Sequence, residues 1–150
     1  SPTTAQHVMN DMDGKIDYFV AGAGTGGSYT GIMRYLKEKN PDIKGVLADP
    51  VGSIIGGGTE HKDYNIEGVG NDFIPDTMDT SLIDICIKVN DEQAFSTAKE
   101  ITRREGVIAG SSSGADLWCA LELAKRIDKG NIVVLFPDRG DRYISKGLYD

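Results

Sequence analysis

A chain of 150 residues with 39% apolar side chains is long enough to bury one core unaided and too short for several. Its net charge of −7, with few basic clusters beyond Arg103-Arg104 and Lys125-Arg126, argues against nucleic acid or an anionic membrane as the main partner. No apolar run approaches a membrane span, the first residues Ser1-Pro2-Thr3-Thr4 show neither the basic nor the apolar region of a secretory signal, and Cys86 and Cys119, far apart in apolar stretches, read as small core residues in a reducing, cytoplasmic setting rather than as a disulfide.

Residues 5–12 fit a short helix that Gly14 ends. Ile16 to Ala21 is a short apolar run ending in glycines, the pattern of a buried strand entering a turn. From Thr30 to Lys39, Ile32, Met33 and Leu36 share one helix face, Arg34, Lys37 and Glu38 share another, and Pro41 stops the helix. Gly45 to Asp49 is a second buried strand, which completes a strand-helix-strand unit with parallel strands and a right-handed crossover. Residues 50–75, rich in glycine and charge and without a period, read as a long functional loop region. Leu82 to Val89 reads as a strand. Asn90 then caps a helix, with Gln93 at the capping-box position, Gly106 at the far end, and Ala94, Phe95, Ala98 and Ile101 facing inward. Val107 to Ala109 links into Gly110-Ser111-Ser112-Ser113-Gly114, and a helix from Ala115 to Ile127 is expected to bury Leu117, Leu121 and Ala124. Asn131 to Phe136 is the last strand. The alternation, with uniformly apolar strands, predicts an α/β fold: a three-layer, open, mostly parallel sheet with helices on both faces, as a single domain over 1–150.

Gly22, Gly24 and Gly27 have the G-x-G-x-x-G spacing directly after a strand and at the start of a helix. Glycines there let the backbone approach an anion, and the helix start stabilises its charge. A dinucleotide site needs the same geometry, and Asp49 at the end of the next strand stands where an acid binding ribose hydroxyls would be. A tight strand-to-helix turn without a ligand is the blander reading. Thr25 and Ser28 add two hydroxyls, which suit a terminal phosphate dianion better than a pyrophosphate held by backbone alone.

Ala21 to Ser28 resembles the phosphate loop of the fold-type II pyridoxal-phosphate enzymes, the family of cysteine synthases and cystathionine β-synthases. Four more segments agree in order. Ile66 to Pro75 is similar to the family's "(V/I)EGIGYDF(I/V)P" segment and Glu105 to Gly114 to "EGILxGxSSG". Asp49 to Ser53 is similar to the "DPxGS" stretch of the cystathionine branch, and Phe136 to Tyr143 to the closing strand and turn. The resemblance implies the large-domain part of a tryptophan-synthase-β-like fold and pyridoxal 5′-phosphate as cofactor. Its phosphate would be held by Gly24, Thr25, Gly26, Gly27 and Ser28, its pyridine nitrogen would be hydrogen-bonded by Ser112, and Gly68 would supply backbone near cofactor and substrate. For Ser112 a helix N-cap, and for Gly68 and Gly70 a plain turn, remain the bland alternatives. A serine rather than a carboxylate opposite the pyridine nitrogen implies β-replacement chemistry. The substrates implied are a small amino acid and a thiol: serine and homocysteine in the cystathionine branch, O-acetylserine and sulfide in the cysteine-synthase branch. No metal is implied, and family members are commonly homodimers.

The family's Schiff-base lysine belongs to a region before the glycine loop, and no lysine here matches it; Lys15, Lys44 and Lys62 fall in segments assigned to helices, turns or loops. The chain begins in mid-pattern at Ser1, and we expect it to be the C-terminal fragment of a longer protein, carrying most of the cofactor-binding domain without a catalytic residue and inactive alone. Asn71 stands where the cystathionine branch usually has tyrosine, whereas Glu67, Asp72 and Asp49-Pro50 lean towards that branch. A dinucleotide-binding module using Asp49 and a cofactor-free scaffold domain are the competing readings.

Overall fold

The computed structural model describes residues 6, 9, 14–22, 27–51, 79–106, 110–136 and 140–146. Gln6 and Met9 are helical and Gly14 N–H bonds to Met9 O at 2.9 Å; the rest of the expected first helix lies outside the described residues. The elements then run β1 (Tyr18–Ala21), α1 (Gly27–Lys39), β2 (Lys44–Pro50), a 3-10 turn (Thr80–Leu82), β3 (Ile85–Val89), α2 (Asp91–Glu105), α3 (Ser111–Arg126), β4 (Gly130–Phe136) and β5 (Gly140–Lys146).

The five strands form one sheet in the order β3-β2-β1-β4-β5. β1 pairs in parallel with β2 (Tyr18 opposite Lys44) and with β4 (Tyr18 opposite Ile132), and β2 pairs in parallel with β3. β5 folds back antiparallel on β4, with Phe136 opposite Gly140. The expected three-layer, mostly parallel architecture is present. Alternation along each strand sends side chains to opposite faces. On one face Phe19, Ala21, Leu47 and Val133 pack with Tyr29, Ile32, Met33 and Leu36 of α1. On the other Val20, Val46, Ala48, Ile87, Val89, Ile132 and Val134 pack with α2 and α3. Strands buried on both faces have no polar stripe to show, which is why they read as unbroken apolar runs.

The cap of α2 is as expected. Asn90 Oδ1 accepts Gln93 N–H at 2.7 Å, Gln93 Oε1 accepts Asn90 N–H at 2.9 Å, and Gly106 ends the helix at φ 70°, a left-handed backbone that suits glycine. Three sequence expectations are corrected. Phe95 is 46% exposed, because the buried stripe of α2 is Ala94, Ala98 and Ile101, and position 95 lies about 100° round the helix from Ala94. α3 begins at Ser111, four residues early, and buries Ala115, Cys119, Ala120 and Leu123; Leu121 is 45% exposed, and Leu117 and Ala124 are half-buried.

The third correction is the stretch Leu82–Asp84, which is a turn rather than the start of β3. Asp79 caps it, its Oδ1 accepting Ser81 N–H at 3.0 Å, and Asp84 turns back on β2, its Oδ2 accepting Gly45 N–H at 2.7 Å and meeting Lys37 Nζ at 2.9 Å. Burial raises the Asp84 carboxyl, but the hydrogen bonds from Lys37 and Gly45 outweigh it and hold its pKa below the ordinary value. A carboxyl lowered in the folded state contributes stability above its unfolded pKa and loses it as pH falls through the folded one. The parent protein should therefore exceed Asp84→Asn by on the order of 1 kcal/mol at neutral pH, and melting curves should show the gap closing below about pH 4. A gap that is constant across that range would contradict the pairing.

Candidate functional site

Because β1 to β4 are parallel, their carboxyl ends share one edge of the sheet. The chain passes from β1 to β2 through α1 on one face, has β3 on the outer side of β2, and returns over the other face through α2 and α3 to place β4 on the far side of β1. The winding direction reverses between β1 and β4, and in open parallel sheets the crevice outside the carboxyl ends at such a reversal is where ligands bind. Residues 22–26, between β1 and α1, issue from that position. So does the segment after Phe136, while residues 51–78 follow the carboxyl end of β2.

The structure brings two helix starts to this edge. α1 opens with Gly27 and Ser28 directly after the glycine loop. α3 runs towards the amino end of β4, so its first residues lie at the opposite, carboxyl side. The seating of Gly114 agrees: its Cα faces the Ala94 carbonyl and the Ala98 amide, in the first turns of the helix that leaves β3. Neither start carries an acidic residue in its first turn, and the N-cap of α3, Gly110, makes no side-chain capping bond. α2 is the contrast, with Asp91, Glu92 and a full capping box at its start. Helix starts without carboxylates favour an anionic ligand, whereas the start of α2 carries acids of its own.

Of the residues singled out from sequence, Gly27 and Ser28 stand at the first two positions of α1 and Ser112 at the second position of α3. Ser112 is half-buried and is not the N-cap, a position held by Gly110. Gly24, Thr25, Gly26, Gly68 and Gly70 lie outside the described residues, as does Lys62. Lys15 precedes β1 and Lys44 opens β2, both at the amino edge, away from this site. Asp49 is at the carboxyl end of β2, but its side chain is 1% exposed and its Oδ2 receives Lys88 Nζ of β3 at 2.5 Å. A carboxylate engaged in this way is not presented to a ribose. Both cysteines are free thiols. Burial pushes both pKa values up, with Asp116 adding to the effect at Cys119 and Asp49 at Cys86, so neither is a nucleophile in waiting. Among the described residues there is no metal-binding cluster and no helix long and apolar enough to cross a membrane.

Sequence reasoning missed the contacts that hold this edge together. Thr30 looked like a helix boundary, yet it lies a turn inside α1, buried, with its Oγ1 accepting Asp79 N–H at 3.0 Å. The signal available was the hydroxyl at a position where the helix face is otherwise apolar.

The family model described as "Pyridoxal-phosphate dependent enzyme" matches residues 2–138. The chain is 50% identical over 149 residues to the O-acetylserine dependent cystathionine beta-synthase of Bacillus subtilis (strain 168), covering 99% of this chain and 48% of that protein. It is 40% identical over 148 residues to the cysteine synthase of Helicobacter pylori, covering 98% and 48%. The crystal structure of the O-acetylserine dependent cystathionine beta-synthase from Helicobacter pylori superposes with a TM-score of 0.76 at 38% identity, covering 82% of this chain and 40% of that one. The chain thus spans about half the length of these curated relatives.

Proposed function

Since this chain belongs to the pyridoxal-phosphate dependent enzymes, we propose that its protein replaces the β-substituent of an activated serine with a thiol, and that residues 1–150 supply most of the cofactor-binding domain. The observation that carries the reading is the pair of carboxylate-free helix starts at one crevice, one contributing Gly27 and Ser28 and the other Ser112. The donor set fits the group. Amides and a hydroxyl at the start of α1, continuing the glycine loop, suit a phosphate dianion, and the Ser112 hydroxyl on the opposite face of the sheet suits a ring nitrogen.

Pyridoxal phosphate supplies the electron sink that makes the α-proton and β-substituent of a bound amino acid labile. The chain's own residues govern how that sink is used. Gly24, Thr25, Gly26, Gly27 and Ser28 anchor the phosphate, and Gly68 lends backbone beside the substrate. Ser112 would hydrogen-bond the ring nitrogen and, unlike a carboxylate, would not hold a proton on it, which would temper the sink and favour prompt loss of the β-substituent. The proton is taken by a lysine outside residues 1–150. The likeness to the two O-acetylserine dependent enzymes favours O-acetylserine as donor and homocysteine as thiol. Sulfide as thiol is the second reading, favoured by the cysteine synthase relative. The working protein is a cytoplasmic homodimer.

Whole protein loaded with pyridoxal phosphate should form cystathionine from O-acetylserine and homocysteine faster than from serine. Ser112→Asp should keep the cofactor while lowering kcat/KM about a hundredfold, ~2.7 kcal/mol of transition-state stabilisation. Tight NAD binding lost on changing Asp49, or full activity in Ser112→Asp, would sink the reading.

A further inference from the structure

Two consecutive residues that follow the phosphate-loop end of α1 are both bonded to one short turn elsewhere in the chain. Thr30 Oγ1 accepts Asp79 N–H at 3.0 Å, and Tyr29 Oη donates to Leu82 O at 3.1 Å. Both side chains are buried, Thr30 at 2% exposure and Tyr29 fully. The turn is bonded within itself and to α1: Asp79 Oδ1 accepts both the N–H of Ser81 at 3.0 Å and its hydroxyl at 2.5 Å, and Asp79 Oδ2 reaches Arg34 at 3.5 Å, one turn further along α1. Asp79 is also the first described residue after the segment 52–78, which contains Gly68. The first turn of α1 and the turn from Asp79 to Leu82 are therefore one hydrogen-bonded unit, although 49 residues separate Thr30 from Asp79.

We propose that Thr30 is a positioning residue for the cofactor site: by holding Asp79 against the first turn of α1, it fixes the setting of the phosphate-binding end of that helix. This rests on the pyridoxal-phosphate reading above. Thr30 touches neither cofactor nor substrate in this role. It acts through the Asp79 amide, and it is suited to do so because a buried hydroxyl that accepts a backbone N–H has a fixed direction, and because Gly27 and Ser28 are less than one helical turn away. The same two parts of the chain are joined again two turns further along α1, where Lys37 Nζ meets Asp84 Oδ2 at 2.9 Å. That second tie lies far from the helix start and serves as the control.

The test measures, in the whole protein, the dissociation constant of pyridoxal phosphate, the 31P shift of its bound phosphate and the apo-protein melting temperature. Thr30→Val keeps the volume and removes the acceptor. It should weaken cofactor binding about tenfold, roughly the worth of one buried hydrogen bond, and move the 31P resonance. Thr30→Ser should restore both, and Lys37→Gln should lower the melting temperature while leaving both unchanged. If Thr30→Val does not fold, Thr30→Ala against Thr30→Ser makes the same comparison. Cofactor affinity within twofold of the parent together with an unmoved resonance in Thr30→Val, or equal changes in Lys37→Gln, would overturn the inference. A parent protein that takes up no pyridoxal phosphate at all would instead overturn the reading on which it rests.

Discussion

Replacing Gly114 by valine is expected to destabilise the protein by about 3 kcal/mol, the upper end of what overpacking a well-filled interface costs. A Cβ at this position would run into the Ala94 carbonyl oxygen and sit 2.7 Å from Ala98 N and 2.9 Å from Ala98 Cβ. Two of these obstacles are backbone atoms of α2 and the third is a Cβ fixed to that backbone, so none can swing aside as a flexible side chain would. Relief requires α3 to move away from α2, and Ser112 lies only two residues before the point of contact. Urea unfolding should show a lower midpoint at unchanged slope, and cofactor uptake should fall with it. Gly31→Ala is the matched control, since a Cβ there meets nothing within 4 Å in the middle of α1, and it should be neutral or stabilising by up to ~1 kcal/mol. If Gly114→Val unfolds at the parent's midpoint, the close approach of the two helices is wrong.

Lys88→Met is the second large effect. The Asp49 carboxylate is 1% exposed and holds the Lys88 ammonium at 2.5 Å across adjacent strands, on the α1 face near the carboxyl edge. Removing the cation leaves a buried negative charge without its ion partner, a loss worth about 2–3 kcal/mol given that Lys88 itself is partly exposed. The double variant Asp49→Asn with Lys88→Met should recover at least ~1 kcal/mol of that loss, because the charge that suffered is gone. Thermal melts of the four proteins in the cycle decide it; strictly additive losses would mean that the two side chains do not depend on each other.

What the sequence revealed, and what it hid, follows from the range of the interactions involved. β1, β2 and β4 were legible because strands covered on both faces must be apolar throughout, and the start of α2 because Asn90 and Gln93 cap it within three residues. The Leu82–Asp84 turn was not legible. Its apolar residues mimic a strand, and it is held by Tyr29, Lys37 and Gly45, 39 to 53 residues away. Phe95 and Leu121 were placed inward on hydrophobicity alone, whereas small residues, Ala94, Ala98 and Gly114, form the α2–α3 seam and leave the larger side chains outside. β5, with Asp141 and Arg142 among its residues, offers no apolar run and depends on β4 for its pairing. At the site, the helix that carries Ser112 was started too late, since three serines in succession look like a loop until the packing of Gly114 is known. Asp49 looked like a ribose ligand because the partner that occupies it stands on another strand.

The central place of β1 also orders events in time. Its neighbour on one side is β2, which follows within a few dozen residues, but on the other side it is β4. There Asp17 Oδ2 accepts the N–H of Asn131 at 2.8 Å across a separation of 114 residues. As the chain leaves the ribosome, Phe19 and Val20 can be covered on the β2 side early, while their other edge stays open until β4 has been synthesised. Closing so long a loop is slow rather than costly, because the entropy of closure grows only with the logarithm of its length. The helix α1 starts shortly after this same strand, so the edge from which it sets out is complete only once β4 has been made.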